Sequence, residues 1–331
     1  MPSDVKKKSQ MLVEELQRRS RKCQEFVRKS FLAERIEHPA LQEALQHYFS
    51  YWNDFTHPGL FSIAFEVAGG KSQRALEPQA AIAMIAAGFD IHDDIIDKSA
   101  EKHSYQTVFG KYGQDLALLL GNAFMINGLT LLELSILDLP AEVSTTIVET
   151  IKKCLFEVGN AHALELGLKG STTVSAQKYL KILEMKAASV EADMHIAALV
   201  ASGKSEESEL LRNYGRILGT LATLREEFVD IYDVAELKRR VRRETLPVPL
   251  MLAMQQIGLR RKITERLEKT RLDRNDLETL MDLVFECEPV GELKKRMGRL
   301  CLEAQSLADR IEKRKGRSPL KRLARSMLED L

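Results

Sequence analysis

Apolar residues recur every three to four positions along nearly the whole chain, and this spacing constrains the fold more than any other feature. Leu180, Leu183, Ala187, Val190 and Met194, for example, would lie on one face of a helix. No segment alternates polar and apolar residues for long enough to build a sheet. The spacing therefore predicts an all-α protein, and because 44% of its 331 residues are apolar it can bury a substantial core.

Glycine and proline mark the ends of the predicted helices, because both residues interrupt regular helical backbone. The predicted breaks lie at Gly69 and Gly70, Leu139 and Pro140, residues 167–173, residues 202–205, and Pro247 with Pro249. The helices between them would be roughly ten to thirty residues long, which predicts an antiparallel helical bundle. We expect one helical domain over residues 39–331, preceded by an N-terminal helix over residues 1–38.

Charge and cysteine content exclude some classes of partner. Lysine and arginine number 49 against 48 acidic residues, so the net charge of +1 gives no overall attraction to nucleic acid or an anionic membrane. The charged segment from Lys262 onward is interpreted as the solvated face of terminal helices. Four widely spaced cysteines fit a reducing compartment, and no export signal is visible at the N-terminus, so we expect a cytoplasmic protein.

The longest apolar stretch, residues 116–132, is shorter than the roughly 20 residues that span a bilayer. It is also interrupted by Gly121, Asn122, Asn127 and Gly128. We therefore expect a buried helix here and no membrane span.

Four aspartates end an otherwise apolar predicted helix over residues 80–97. They are Asp90, Asp93, Asp94 and Asp97, called cluster I below. Residues three and four positions apart share a helical face, so these carboxylates would lie side by side and repel one another. A divalent cation would relieve the repulsion, and Mg2+ prefers hard oxygen ligands of this kind. The alternative for a lone cluster is a solvated acidic helix end.

A second acidic group makes that alternative less favourable. Glu226, Glu227 and Asp230, called cluster II below, repeat the order of two acids, two apolar residues and an aspartate. Two such helix ends facing each other across a bundle could hold one diphosphate through several Mg2+ ions. Basic residues that could bind phosphate accompany both clusters. They are Lys71, Arg74, Lys98 and Lys102 around the first, and Lys238, Arg239, Arg240, Arg242 and Arg243 after the second.

At these positions the chain resembles the trans-isoprenyl diphosphate synthases, also called polyprenyl synthetases, over residues 40–328. Residues 92–97 resemble the first aspartate-rich motif of the family, including its preceding histidine. Further matching positions are Gly69, Gly70, Lys71 and Arg74 (the Gly-Gly-Lys element), Lys186 with Ala188, Gly215, Gly219, and residues 245–247. The resemblance implies the isoprenoid synthase bundle around a central cavity, and Mg2+-assisted ionisation of an allylic diphosphate followed by attack of isopentenyl diphosphate.

The resemblance also implies roles for single residues. The predicted metal ligands are Asp93, Asp94, Asp97, Glu226, Glu227 and Asp230, and the first three together with Lys186 are the predicted catalytic residues. The predicted substrate-binding residues are Lys71, Arg74, Lys102, His103, Lys186, Arg225 and Arg243. The alternative interpretation of Lys186 is a surface lysine without a functional role, whose aliphatic stem packs on apolar neighbours. Phe89 and Gly88 are predicted to limit product length, which favours farnesyl or geranylgeranyl diphosphate, although Phe89 could be ordinary core packing.

Several family positions are altered in this chain. Ser72 and Ala86 stand where the family usually has arginine and histidine, and Asn122 replaces a common aspartate. Cluster II has two glutamates for two aspartates, and Arg242 and Arg243 replace a Gly-Lys pair. Three hypotheses follow: a short-chain prenyltransferase, which we favour, a weakly active or regulatory subunit of a heteromer, and a terpene cyclase, whose second metal motif is absent. The family implies a homodimer or a heteromer with a related chain.

Overall fold

The structure is a computed structural model that describes residues 3–71, 74–102, 105–168, 175–243, 245–269, 274–311 and 319–329. Its N-terminal helices are α1 (Ser3–Ala33), α2 (Pro39–Tyr51), α3 (Thr56–Val67), α4 (Leu76–Ile96), α5 (Val108–Ser135) and α6 (Ala141–Leu166). A short antiparallel hairpin, β1 (Glu101–Lys102) and β2 (Tyr105–Gln106), connects α4 to α5 and pairs Glu101 with Gln106.

The second half of the chain is also helical. It contains α7 (Ala176–Lys186), α8 (Ala188–Ser202), α9 (Glu206–Tyr232), α10 (Val234–Arg243), α11 (Val248–Met254), α12 (Ile257–Leu267), α13 (Arg274–Phe285), α14 (Glu288–Ile311) and α15 (Pro319–Ser326). The all-α prediction is confirmed. Helices end at the predicted breaks, for example at Gly69, whose φ of +84° a residue with a side chain rarely adopts. The interruption between α7 and α8 at Ala187 was not predicted.

The chain forms two compact units. Unit 1 consists of Met1–Thr150 and Asp193–Leu211, and unit 2 consists of Ile151–Ala192 and Arg212–Leu331. The domain boundary predicted at residues 38 and 39 stays a prediction, and these units fall elsewhere. Cluster I belongs to unit 1 and cluster II to unit 2, so the prediction that the two clusters face each other also stays a prediction.

The core of unit 1 contains an aromatic cluster from α1, α2 and α5, and α4 packs closely against α5 beside it. Phe31 stacks on Phe124 at a centroid distance of 4.0 Å, and Tyr48 meets the same ring edge-on. Glycines permit the close approach of the two helices, because a Cβ at Gly128 would lie 2.9 Å from the carbonyl oxygen of Ala81. The C-terminal turn of α4, which carries cluster I, is thereby fixed on a rigid support.

In unit 2, a similar close contact positions α9, the helix that carries cluster II. A Cβ at Gly219 of α9 would lie 2.9 Å from the carbonyl oxygen of Ala187, so glycine allows α9 to approach the break between α7 and α8. Tyr214 and Phe228 of α9 are fully buried, and the Tyr214 hydroxyl donates to the Leu320 carbonyl at 2.6 Å. These contacts orient the end of α9, where cluster II lies.

Helix α5 buries only one of its faces. The prediction of a buried helix holds for the side that carries Leu120, Phe124 and Leu132. The other side exposes large apolar residues: Leu118, Leu119, Ile126, Leu129 and Leu134. Within the described residues α5 alone is long and apolar enough to cross a membrane by length and composition, and a third of its most apolar window is buried. An exposed apolar stripe of this length is typical of a surface that binds a partner.

Candidate active site

Cluster I sits at the C-terminal end of α4, where the helix stops in a capping motif. The Ser99 N–H donates to the Asp94 carbonyl at 2.9 Å and the Lys98 N–H to the Ile95 carbonyl at 3.2 Å. Lys98 adopts a φ of +53°, the left-handed conformation that such a cap needs. Carboxylates here face the negative end of the helix dipole as well as one another. A cation beside this turn would reduce both the repulsion among the carboxylates and their unfavourable interaction with the helix dipole.

Lys102 supplies one such cation from the hairpin. Its Nζ lies 2.8 Å from Oδ1 of Asp90 and 2.8 Å from Oδ1 of Asp94. Asp94 is only 3% exposed, and burial raises its pKa to about 7, with the carboxylates of Asp90 and Asp93 adding to the effect and Lys102 opposing it. The structure thus brings the predicted metal ligand Asp94 and the predicted phosphate ligand Lys102 together. Asp93 and Asp97 lie on the same turn.

The residues before cluster I divide between two faces of α4. Phe89 is only partly buried, as a residue lining a cavity would be. Gly88 is buried against α5, where a Cβ would lie 2.6 Å from Cγ of Met125, so a substitution there would act first on helix packing. His92 also faces α5, since a Cβ at Gly121 would lie 2.5 Å from its ring. The product-length roles of Phe89 and Gly88 stay predictions.

The sequence analysis did not predict an ion pair in unit 1 between the half-buried His57 and the buried Asp193. Nδ1 of His57 lies 2.6 Å from Oδ2 of Asp193, and Asp54 caps α3 by accepting the N–H groups of Thr56 and His57. Burial lowers the pKa of His57, but Asp193, Asp54 and Asp90 outweigh it and raise that pKa to about 10. The clue was Asp193 itself, a lone aspartate between apolar residues of α8. The pair places a positive charge in the field of Asp90.

Two of the predicted substrate-binding residues, Lys71 and Arg74, lie at the surface. Lys71 is exposed, and Arg74 forms an exposed ion pair with Asp138 at 2.8 Å. Exposed pairs of this kind contribute little to stability, so Arg74 could exchange this partner for a phosphate at small cost. His103 lies outside the described residues.

Cluster II is organised around Arg240 of α10. Nη1 of Arg240 lies 2.9 Å from Oε1 of Glu227 and 2.6 Å from Oδ2 of Asp230. Nη2 donates to Oε2 of Glu227 at 3.1 Å and to the Tyr179 hydroxyl at 3.1 Å. Burial lowers the pKa of Arg240, but Glu227, Tyr179 and Asp230 outweigh it and hold that pKa well above the usual value. Sequence analysis noted Arg240 only as one of several basic residues.

Glu226 and Lys186 complete the neighbourhood of cluster II. The Glu226 side chain is exposed to solvent, but many protein atoms surround its carboxyl group. The resulting desolvation raises the pKa of Glu226 to about 7, and the negative charges of Asp230 and Glu227 raise it further. Nζ of Lys186 lies 2.5 Å from Oε2 of Glu165. Burial would raise the pKa of Glu165, but Lys186 outweighs it and lowers that pKa. Lys186 is therefore part of a charged network, and its phosphate-binding role stays a prediction.

Arg225 and Arg243 were both predicted to bind substrate. Nη2 of Arg225 donates to the carbonyl oxygen of Glu329 at 3.3 Å, so this guanidinium contacts the C-terminal segment. Arg243 is the last residue of α10, and its side chain lies outside the described residues. Both stay predictions.

The donor set of cluster I fits Mg2+. Asp93, Asp94 and Asp97 offer hard oxygens on one helical turn, and Mg2+ commonly uses one or two carboxylates together with phosphate oxygens and water. Among the described residues no three His, Cys, Asp or Glu side chains converge on a point as a closed metal site. Such a site would need the phosphates of a substrate to complete its coordination.

The fold assigns the chain to a class of known structures. The geranylgeranyl pyrophosphate synthetase from Pyrococcus horikoshii matches with a TM-score of 0.80 over 97% of this chain and 99% of that chain, at 19% identity. The geranylgeranyl pyrophosphate synthase from Corynebacterium glutamicum, solved with isoprenyl diphosphate and magnesium, matches with a TM-score of 0.75 over 98% of each chain, at 19% identity. The chain therefore has the all-α fold of these isoprenyl diphosphate synthases.

The sequence then identifies the family within this fold. A family model described as polyprenyl synthetase matches residues 38–284, so the chain belongs to the polyprenyl synthetase family. The geranylgeranyl diphosphate synthase of Sulfolobus acidocaldarius is 27% identical over 182 residues, 55% of each chain. The matched segment spans little more than half the length of the first curated relatives. The family predicted from the motifs is confirmed.

Proposed function

We propose that this protein is a short-chain prenyltransferase that condenses isopentenyl diphosphate with an allylic prenyl diphosphate to give farnesyl or geranylgeranyl diphosphate. The observation that carries the proposal is the position of cluster I, four carboxylates at the C-terminal end of the largely buried helix α4, with Lys102 beside two of them. Family membership supplies the reaction class, because relatives are named as geranylgeranyl and farnesyl diphosphate synthases.

Bound Mg2+ would supply charge neutralisation of the departing diphosphate. Asp93, Asp94 and Asp97 hold it in this proposal, and Lys102 and Lys186 bind the phosphate oxygens of the allylic substrate. Lys71 and Arg74 bind isopentenyl diphosphate, and His103, Arg225 and Arg243 are further proposed substrate-binding residues. Stabilisation of a leaving group in a water-poor pocket needs no protein nucleophile.

We propose that Phe89 lines the floor of the prenyl pocket. A phenylalanine four positions before Asp93 would stop a growing chain early, which is the reason for proposing a short product. Its partial exposure supports this role, because a core-packing phenylalanine on this helix would be buried like Ile82 and Met84.

A second copy of the chain is the proposed occupant of the exposed face of α5. The stripe is apolar and two-thirds of the α5 window is unburied, so covering it with an identical stripe would remove much apolar surface from water. Ile126→Glu should convert a dimer to a monomer in light scattering, whereas Leu302→Glu, at a similarly exposed leucine of α14, should leave the dimer intact. A wild-type chain that is monomeric alone would favour a heteromeric partner.

The four cysteines are free and buried, which agrees with the proposed cytoplasmic location.

The deciding experiment is a product assay with the purified chain, Mg2+, isopentenyl diphosphate and dimethylallyl, geranyl or farnesyl diphosphate. We expect turnover by the lone chain, and Asp93→Asn should reduce the rate by roughly a hundredfold or more, with an unchanged unfolding temperature. Absence of turnover with every allylic partner would reject the hypothesis that the chain alone is an active enzyme, and would favour the hypothesis of a regulatory subunit.

A further inference from the structure

Arg240 uses every hydrogen-bond donor it has inside the protein. A guanidinium has five N–H groups. Nε donates to the Thr245 carbonyl at 3.0 Å, Nη1 to Glu227 and Asp230 at 2.9 and 2.6 Å, and Nη2 to Glu227 and Tyr179 at 3.1 Å each. The side chain is 6% exposed. Arg240 is therefore a fixed internal cation with no donor left for a substrate phosphate.

Glu227 is saturated in the same way. Its two oxygens accept the two Nη groups of Arg240, and Oε2 also accepts the Val248 N–H at 2.8 Å. Its side chain is 5% exposed. A Mg2+ ion needs a carboxylate oxygen about 2.1 Å away in near-octahedral geometry, and here it would have to displace these donors and lie against a guanidinium. Glu227 does not fit the role of a metal ligand.

We propose that Arg240 takes the place of a metal ion at Glu227, which leaves Glu226 and Asp230 as the cluster II carboxylates open to a metal-bound diphosphate, since Arg240 holds only one of the two oxygens of Asp230 and that side chain is 23% exposed. This inference deepens the proposed function and rests on it for the roles of Glu226 and Asp230. It replaces the sequence prediction that all three residues of cluster II bind Mg2+. The charge of cluster II is then partly neutralised before any ligand arrives.

The neighbouring arginine provides a matched control. Arg239 lies on the same helix and pairs with Glu236, three residues earlier, at 2.5 Å, and both side chains are about a third exposed. Arg239→Gln removes the same charge one residue away and leaves the hydrogen bonds of Arg240 to Glu227 and Asp230 in place. Any effect specific to Arg240 therefore reports on its place inside cluster II, since long-range charge is matched.

Metal counting tests the proposal without an activity readout. Mn2+ binding is measured by electron paramagnetic resonance with inorganic pyrophosphate present, for the wild type, Glu227→Gln and Asp93→Asn. We expect Glu227→Gln to retain the bound Mn2+ count and an affinity within about twofold of wild type. Asp93→Asn should weaken binding by about tenfold or more. Loss of one bound Mn2+ in Glu227→Gln, measured at a temperature where circular dichroism shows the variant to be folded, would overturn the proposal.

Stability coupling tests the same contact in EDTA. Arg240→Gln and Glu227→Gln should each lower the unfolding temperature by roughly 5–10 °C, because each leaves a buried charge unpaired. The double variant should lose clearly less than the sum, and Arg239→Gln should differ little from wild type. Additive losses would overturn the proposal. Arg240→Lys keeps the charge with three donors, so it provides a second, milder variant if Arg240→Gln does not fold.

The two tests separate this inference from the proposed function. If no protein binds Mn2+ with pyrophosphate, and Asp93→Asn changes nothing, the proposed function fails. The coupling between Arg240 and Glu227 in EDTA still decides whether the guanidinium neutralises cluster II. If metal binds as expected and the coupling is absent, only the inference fails.

Discussion

Gly121→Ala should disturb cluster I from the opposite helix, and the size of the effect follows from the packing of His92. A Cβ at position 121 would lie 2.5 Å from both Cδ2 and Nε2 of His92, and 3.4 Å from the Gly88 carbonyl oxygen. Contacts this short force the ring to move, and overpacking a core typically costs about 1–3 kcal/mol. Because His92 directly precedes Asp93, the last turn of α4 should shift as well.

Chemical denaturation measures the stability change, and His92→Ala provides the matching relief. The double variant should be more stable than the sum of the two single changes implies, with a coupling of about 1–2 kcal/mol. Gly159→Ala is the control, since a Cβ there would meet no atom within 4 Å and should stabilise α6 by about 0.5–1 kcal/mol. Equal stability of Gly121→Ala and wild type, or strict additivity with His92→Ala, would refute the packing argument.

Two further predictions concern unit 1. Phe89→Ala should lengthen the main product by about one isoprene unit, because the lost ring leaves a volume similar to that of one such unit. Mass spectrometry of the product checks this, with Phe26→Ala, a change at a partly buried phenylalanine of α1, as the control. An unchanged product would show that Phe89 does not form the pocket floor. His57→Gln should cost up to about 3 kcal/mol by unpairing Asp193. The folded-state pKa of His57 is raised from 6.5 to about 10, so this stabilisation is fully present near pH 6 and fades as the pH rises through 10; a loss that is constant with pH would contradict it.

The helices and cluster I could be predicted because both are local properties of the chain. Apolar spacing sets a helical face, and glycines such as Gly69 end it, so the helical class and the main breaks between helices follow from the sequence. The acids of cluster I lie within one predicted helix, where spacing fixes their relative position. The family motifs added the reaction class, which spacing by itself does not contain.

The partners of those acids could not be predicted, because they come from distant parts of the chain. Arg240 was one of several basic residues after cluster II, and only the packing of α10 shows that it, rather than Arg239, enters the buried network. Asp193 reaches His57 across 136 positions. The break at Ala187 lies where Gly219 of α9 approaches closely, and the apolar spacing continues through it without any local signal. Long-range pairing selects among residues that look equivalent in sequence.

Lys102 and Arg240 neutralise their clusters in different ways, and this difference leads to a final prediction. Lys102 is 29% exposed and holds Asp90 and Asp94 through a single ammonium on a flexible stem, so it can turn towards an arriving diphosphate. Arg240 is fixed by five hydrogen bonds and cannot follow.

Lys102→Gln should therefore weaken pyrophosphate binding in Mg2+ by about tenfold in calorimetry. Its stability cost at pH 7 should be small, since Asp94, with a pKa of about 7, can take up a proton once its counter-ion is gone. Lys102→Arg should retain most of the affinity, and Lys22→Gln, at an exposed lysine of α1, should retain all of it. Unchanged pyrophosphate binding in Lys102→Gln would mean that this lysine serves cluster I only as a structural counter-ion.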